Sequence, residues 1–235
     1  MLALDGSLGH VTEVLSGDVY QPLASSSPQQ IWSSAMVISP IVRGMLGLEV
    51  DAQAQEILLS PHIPAEWNSF GIGNVVVNRQ GLDFAYSRGA QEISLIINAG
   101  PGNSGYSVVF APEISLRAHV TAAELDGRPV QFHVAANSED QHVSVRCAVP
   151  SGRHTIRIRF KDDFGIGITS SMPGLGRESR GLRIVSMSWT PAHDALTVQL
   201  SGIAGEQYDL NVRNAEQIQS IDTSKRSHTE KNKGC

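Results

Sequence analysis

Two hydrophobic rhythms divide the chain. Between residues 31 and 45 apolar side chains recur at helical spacing, at Ile31, Ala35, Ile38, Val42 and Met45, while Trp32, Met36 and Val37 widen the apolar face. That spacing predicts a largely buried helix. A start signal precedes it, with Ser27 placed as N-cap, Pro28 at the first helical position and Gln30 completing an S-x-x-Q capping box. Such a cap contributes about 1 kcal/mol. Gly44 and Gly47 mark the helix end. Pro40 conflicts with an unbroken helix, because an interior proline removes a backbone hydrogen bond and costs about 3 kcal/mol. A kink near Ser39, or two successive helical pieces, is therefore expected.

Beyond Leu48 the period falls to two. Short apolar runs occupy residues 56–59, 72–77, 82–87, 92–97, 116–124, 130–135, 142–148 and 154–160, the even spacing of a β-sandwich. In HTIRIRF, Ile156, Ile158 and Phe160 alternate with Arg157 and Arg159, which sets one face in a core and one in water, as in an antiparallel strand. Asp126-Gly127 suits a tight hairpin, since glycine tolerates positive φ. The stretch 164–181 is rich in Gly and Ser, contains Pro173 and reads as a linker or long connection. Three more strands are expected near 182–189, 195–201 and 207–213. From Ser220 onward apolar content falls and lysine accumulates, so 214–235 reads as a disordered tail without function. The fold class is mainly β: a short N-terminal α segment over 1–55, an antiparallel β-sandwich over 56–163 and additional strands over 182–213.

Composition narrows the function classes. The 235 residues, 41% of them apolar, can fill one large core or two small ones. A formal charge of −5 and a pI near 5.9 lack the basic footprint of a nucleic-acid binder. No run approaches the roughly 20 apolar residues of a membrane span, and no signal-peptide pattern opens the chain, which leans the compartment towards the cytoplasm. Cys147 falls at an apolar strand position and Cys235 is the last residue, so no disulfide framework is expected. The eight histidines show neither HxxxH spacing nor pairing with cysteine, and no metal site is expected. Gly71-Ile72-Gly73 and Gly165-Ile166-Gly167 lack the third glycine and following helix of a dinucleotide loop, so no cofactor is expected either.

Among the carboxylates, Asp83, Glu92, Glu124, Asp126, Asp162 and Asp163 fall on polar faces or in turns and read as solvated. Glu13 differs, because it lies in a Gly/Ser-rich irregular stretch after His10 and before Ser16-Gly17-Asp18, where loop backbone can present a carboxylate to a cleft. On residue type alone a surface or capping glutamate is still the favoured reading.

The run TEVLSGDVYQPLASSSPQQIWSSAMVISPIVRGMLGLEVD, residues 12–51, resembles the C-terminal end of the catalytic domain of six-hairpin, (α/α)-toroid glycoside hydrolases, especially bacterial glycogen-debranching, amylo-α-1,6-glucosidase-like proteins. The matching residues are Glu13, Ser16 to Asp18, Pro22, Ser26 to Ser27 and Gln30 to Ala35. LLSPHIPAEW at 58–67 and ELDGRPVQF at 124–132 resemble the β-sandwich that follows the toroid. Gln29 departs from the pattern, standing where many relatives carry histidine. The resemblance implies that residues 1–55 hold the last helical hairpin of a toroid, with the remaining hairpins in upstream sequence. It implies that Glu13 matches the catalytic base of an inverting glycosidase, whose paired carboxyl groups stand about 6.5–9.5 Å apart, and that the general acid lies upstream. Trp32 would then form an apolar wall for a carbohydrate substrate and Gln30 would bond a hydroxyl, with His10 and Asp18 as groups that orient Glu13. Helix packing is the competing role for Trp32.

Two non-catalytic alternatives stand beside this: a β-sandwich that binds carbohydrate or another protein, and a structural buttress. Phe84, Tyr86, Phe110 and Phe132 sit mainly at strand positions that fit a core, so a row of exposed aromatics for sugar binding is not evident.

Overall fold

The computed structural model describes residues 11–77, 79–102, 106–169 and 172–224. One α-helix, α1 (Ile31–Ser39), leads into a π-helical segment at Pro40–Met45, closed by a bond from Leu46 N–H to Ile41 O of 2.8 Å. The change of helix type at Pro40 is the discontinuity that a missing amide predicts. Among the described residues no second helix completes a hairpin with α1. The strands follow in chain order: β1 (Leu48–Asp51), β2 (Glu56–Leu59), β3 (Ser69–Val77), β4 (Gln80–Arg88), β5 (Glu92–Ala99), β6 (Tyr106–Phe110), β7 (Glu113–Ser115) and β8 (His119–Leu125). Then come β9 (Arg128–Pro129), β10 (His133–Ala136), β11 (Asp140–Val149), β12 (Gly152–Lys161), β13 (Gly165–Ile168), β14 (Arg183–Trp189), β15 (Leu196–Ser201) and β16 (Leu210–Arg213).

Two sheets face each other. One runs β1-β2-β6-β11-β10, with β7 also paired to β11, and the other runs β3-β4-β5-β12-β8-β9. Their inward faces supply Ile57, Leu59, Leu82, Phe84, Leu95, Phe110, Val145 and Phe160, each at most 2% exposed. Within β12 the alternation read from the sequence holds, with Ile156, Ile158 and Phe160 inside and both arginines outside. Asp126 and Gly127 turn β8 into β9 with φ of 52° and 78°.

The sandwich is not wholly antiparallel. Strands β2 and β6 pair in parallel, Ile57 opposite Val108, because the chain crosses to the second sheet for β3 to β5 before returning. The apolar runs of the sequence did not predict β6: YSVVF is apolar on consecutive positions, as suits a strand with neighbours on both sides, and carries no alternation to read. The later strands form two separate pairs, β13 with β16 and β14 with β15. Strand β13 lies inside the Gly/Ser-rich stretch 164–181.

Asp163 corrects the expectation of a solvated carboxylate, being 0% exposed. Arg88 Nη2 donates to its Oδ2 at 2.8 Å, Ser115 N–H donates to Oδ1 at 3.0 Å, and Arg213 Nε lies 3.0 Å from Oδ2 in an ion pair. Its backbone carbonyl also accepts from Asn214 Nδ2 and Gln217 Nε2, at 2.7 and 3.0 Å. Burial acts to raise its pKa, but the charges of Arg88 and Arg213 and the Ser115 amide outweigh it and hold the carboxyl below its ordinary value of 3.8. This buried group therefore locks the end of β16 onto the sandwich.

The N-terminal helix departs from expectation twice. Gln30, not Ser27, is its N-cap, and no side chain caps it. Ser27 is occupied elsewhere: its carbonyl accepts from Glu13 N–H at 3.0 Å and its N–H donates to Glu13 Oε2 at 3.4 Å. The expected burial is also absent, since Ile31, Trp32, Met36 and Ile38 are 67–76% exposed. Helical periodicity specifies a face that can be covered, and the strands that follow cover one another instead.

Candidate functional site

Glu13 is presented by a short antiparallel arm. Ser16 N–H donates to Gln21 O at 2.8 Å, Leu23 N–H to Val14 O at 3.2 Å, and Leu15 bridges Pro22. Side chains add to the stitching: Thr12 Oγ1 lies 2.8 Å from Ser26 Oγ, which accepts from Val14 N–H at 2.9 Å. Serines are useful here because a short hydroxyl reaches backbone amides that have no sheet partner. At the arm tip Ser16 Oγ accepts from Asp18 N–H and Val19 N–H, at 3.2 and 3.3 Å. The arm is braced from outside by the segment after β13, through Tyr20 N–H to Arg177 O at 2.9 Å and Gly176 N–H to Tyr20 O at 3.0 Å. That segment lines a groove of about 410 Å³ with Pro173, Arg177, Glu178 and Arg180, and Tyr208, just before β16, adds to the lining.

The Glu13 carboxylate is exposed and accepts one long hydrogen bond, from Ser27 N–H. Among the described residues no ion pair or hydrogen bond joins it to Asp18, Gln30 or Trp32. Gln30 is tied to the arm through its backbone, N–H to Val11 O at 3.1 Å, and its carbonyl starts α1 by accepting from Ser34 N–H at 3.1 Å. Trp32 lies in the first turn of α1 and is 75% exposed, so among the described residues it is not a packing residue. Asp18 is exposed at the arm tip. His10 lies outside the described residues.

A second polar group forms where histidine spacing predicts none. Gly47 ends the helical segment at φ +61°, so close to Ser60 that a Cβ would stand 2.0 Å from its carbonyl oxygen. Two bonds then tie the helix end to the strand exit, Ser60 N–H to Gly47 O at 3.0 Å and His62 N–H to Met45 O at 2.9 Å. His62 Nε2 lies 3.3 Å from both Glu113 Oε2 and Asp140 Oδ2, and His142 Nε2 lies 3.7 Å from Asp140 Oδ1. Strand pairing assembles this group, because His142 on β11 stands opposite Glu113 on β7, and Asp140, two residues away, shares its face. The signal available in the sequence is the D-x-H step at 140–142; the approach of His62 is a product of the fold.

No family model matches the chain, and no curated protein matches it in sequence. Among solved structures it is similar to the α-L-rhamnosidase from Dictyoglumus thermophilum, with a TM-score of 0.41 and 14% identity over 60% of this chain and 15% of that one. It is also similar to a GH127 β-L-arabinofuranosidase from Geobacillus Stearothermophilus T6, with a TM-score of 0.34 and 8% identity over 77% of this chain and 33% of that one. The chain thus spans a minor part of both enzymes, and at these scores the likeness assigns neither a family nor an activity.

Proposed function

We propose that this chain is the C-terminal part of an inverting glycoside hydrolase acting on α-glucan-type oligosaccharides or polysaccharides, of the glycogen-debranching kind, with Glu13 as its catalytic base. The observation that carries the reading is the presentation of Glu13: a carboxylate on a cross-stitched arm, exposed, held by one amide and free of any cationic partner among the described residues. A base must have an oxygen available to take a proton from water. In the inverting reaction the base takes that proton as the water oxygen bonds to the anomeric carbon. The glycosidic C–O bond breaks, and an acid on the opposite face protonates the departing oxygen. That acid would come from upstream sequence. The exposed apolar face of α1 supports the same reading, because it offers Ile31, Met36 and Ile38 for packing against further helices and leaves Trp32 beside the substrate.

In this reading the sandwich is a buttress, bound to the helix end through Gly47, Ser60 and His62. A carbohydrate-binding role for it finds little support, since Phe84, Tyr86 and Phe110 are at most 2% exposed; Phe132, expected at a core position, is 40% exposed, but one ring makes no row of aromatics. The test is to express the chain joined to its upstream sequence and measure glucan hydrolysis with and without Glu13→Gln. A loss of about 10²–10⁴-fold in kcat is expected for removal of a general base. Unchanged activity would remove Glu13 from the mechanism.

A further inference from the structure

The group around His62 presents more acceptors than donors. His142 Nδ1 lies 2.7 Å from Ala111 O, and a carbonyl can only accept, so Nδ1 carries the proton and the lone pair of the neutral ring sits on Nε2. That lone pair faces the Asp140 carboxylate. Asp140 is 8% exposed, and its Oδ2 is buried without a hydrogen-bond donor. The ligating atoms of His62, Asp140 and His142 all lie within 4.8 Å of one another, with Glu113 Oε2 a further 3.3 Å from His62 Nε2. For metal–ligand bonds of about 2.0–2.1 Å, a tetrahedral shell places its donor atoms about 3.3–3.4 Å apart. The separations of Asp140 Oδ2 from His62 Nε2, 3.3 Å, and of Asp140 Oδ1 from His142 Nε2, 3.7 Å, are near that spacing.

We propose that His62, Asp140 and His142 bind a divalent transition-metal ion of the zinc class as three protein ligands, the fourth position being open to water. Two imidazoles with one carboxylate select such an ion over magnesium or calcium, which take oxygen ligands. Outer partners of the usual kind are in place: Ala111 O for His142, and Asn137 Nδ2 at 3.2 Å from Asp140 Oδ1. The His62 side chain, 56% exposed, leaves a way in from solvent, and binding displaces any proton on its Nε2. The ion would clamp the residue that anchors the helical segment, through His62 N–H to Met45 O, onto β11. This site does not depend on the glycosidase reading.

The test is calorimetric titration of the chelator-treated full chain with Zn²⁺ near pH 7.5, in a Cys235→Ser background, alongside Mg²⁺ and a His119→Ala control. One equivalent of Zn²⁺ bound at micromolar Kd or tighter is expected, with no heat from Mg²⁺. His62→Ala and His142→Ala should each weaken binding at least 10-fold, while His119→Ala should not. Zn²⁺ should raise Tm in the parent and lose that effect in His62→Ala, an exposed position where substitution leaves the fold intact if His142→Ala does not. Absence of saturable binding, or parental affinity in His62→Ala, would overturn the site.

Discussion

In β12, Ile156, Ile158 and Phe160 are at most 1% exposed, whereas in α1, Ile31, Trp32, Met36 and Ile38 are 67–76% exposed, although both groups follow a regular apolar period. The two regions differ in partners, not in hydrophobicity. Each strand of the sandwich finds another strand between residues 48 and 161 to cover it, and burial at ~25 cal/mol per Å² accumulates across the interface. The helix presents Ile31, Trp32, Met36 and Ile38, and none of its residues is buried among the described residues. Stability should therefore reside in the sandwich, while the segment before it, where Glu13 lies, should tolerate truncation of its largest side chains.

The sharpest way to break that contrast is a cavity in the core. Phe160→Ala removes a ring that is 1% exposed and in cation–π reach of Arg88, 5.9 Å from ring centroid to guanidinium carbon. A loss of about 3–5 kcal/mol is expected in urea unfolding. A loss below about 1 kcal/mol would mean that the core is not where the stability lies.

Asp163 sharpens the same contrast through charge. Asp163→Asn leaves Arg88, only 5% exposed, and Arg213 without their shared anion, and should cost ~3 kcal/mol at neutral pH. The pH dependence fixes the cause. The folded-state pKa of Asp163 is held below 3.8, so its contribution is present above that value and is lost as pH falls through the folded pKa. Glu113 works in the opposite sense: burial raises its pKa above 4.5 against the pull of Arg88 and His62, so its cost to the fold is relieved as pH falls towards that value. The stability gap between parent and Asp163→Asn should therefore narrow below about pH 4 in unfolding curves. A gap that stays constant down to pH 3 would assign the loss to packing rather than charge.

Where alternation was strong, the sequence already contained the sandwich: HTIRIRF names its buried face residue by residue, and Asp126-Gly127 marks its hairpin. Strand β6 was hidden because a strand apolar on consecutive positions has no period of two. The burial of Asp163 was hidden for another reason, since its two arginines come from residues 88 and 213 and local polarity reads the same with or without them. Of the candidate site, Glu13 stood out by its setting, but its arm depends on the Thr12 and Ser26 hydroxyls bonding across 12 to 15 residues, which no local pattern shows. Ser27 misled for the same reason: its cap signature was genuine, but Glu13 took both of its backbone groups.

The smallest effect tests the other half of the contrast. Trp32 is the largest side chain of α1 and 75% exposed, so Trp32→Ala in this chain should change stability by less than about 0.5 kcal/mol, within the range of surface substitutions. The same substitution in the protein joined to its upstream sequence should behave differently. If Trp32 lines a sugar subsite there, glucan KM should rise while unfolding stays unchanged; if it packs against other helices, stability should fall by about 3 kcal/mol, as for a buried aromatic. A loss of that size in the present chain alone would mean that the helix is covered after all, and the division between a self-sufficient sandwich and an uncovered helix would fail at its weakest point.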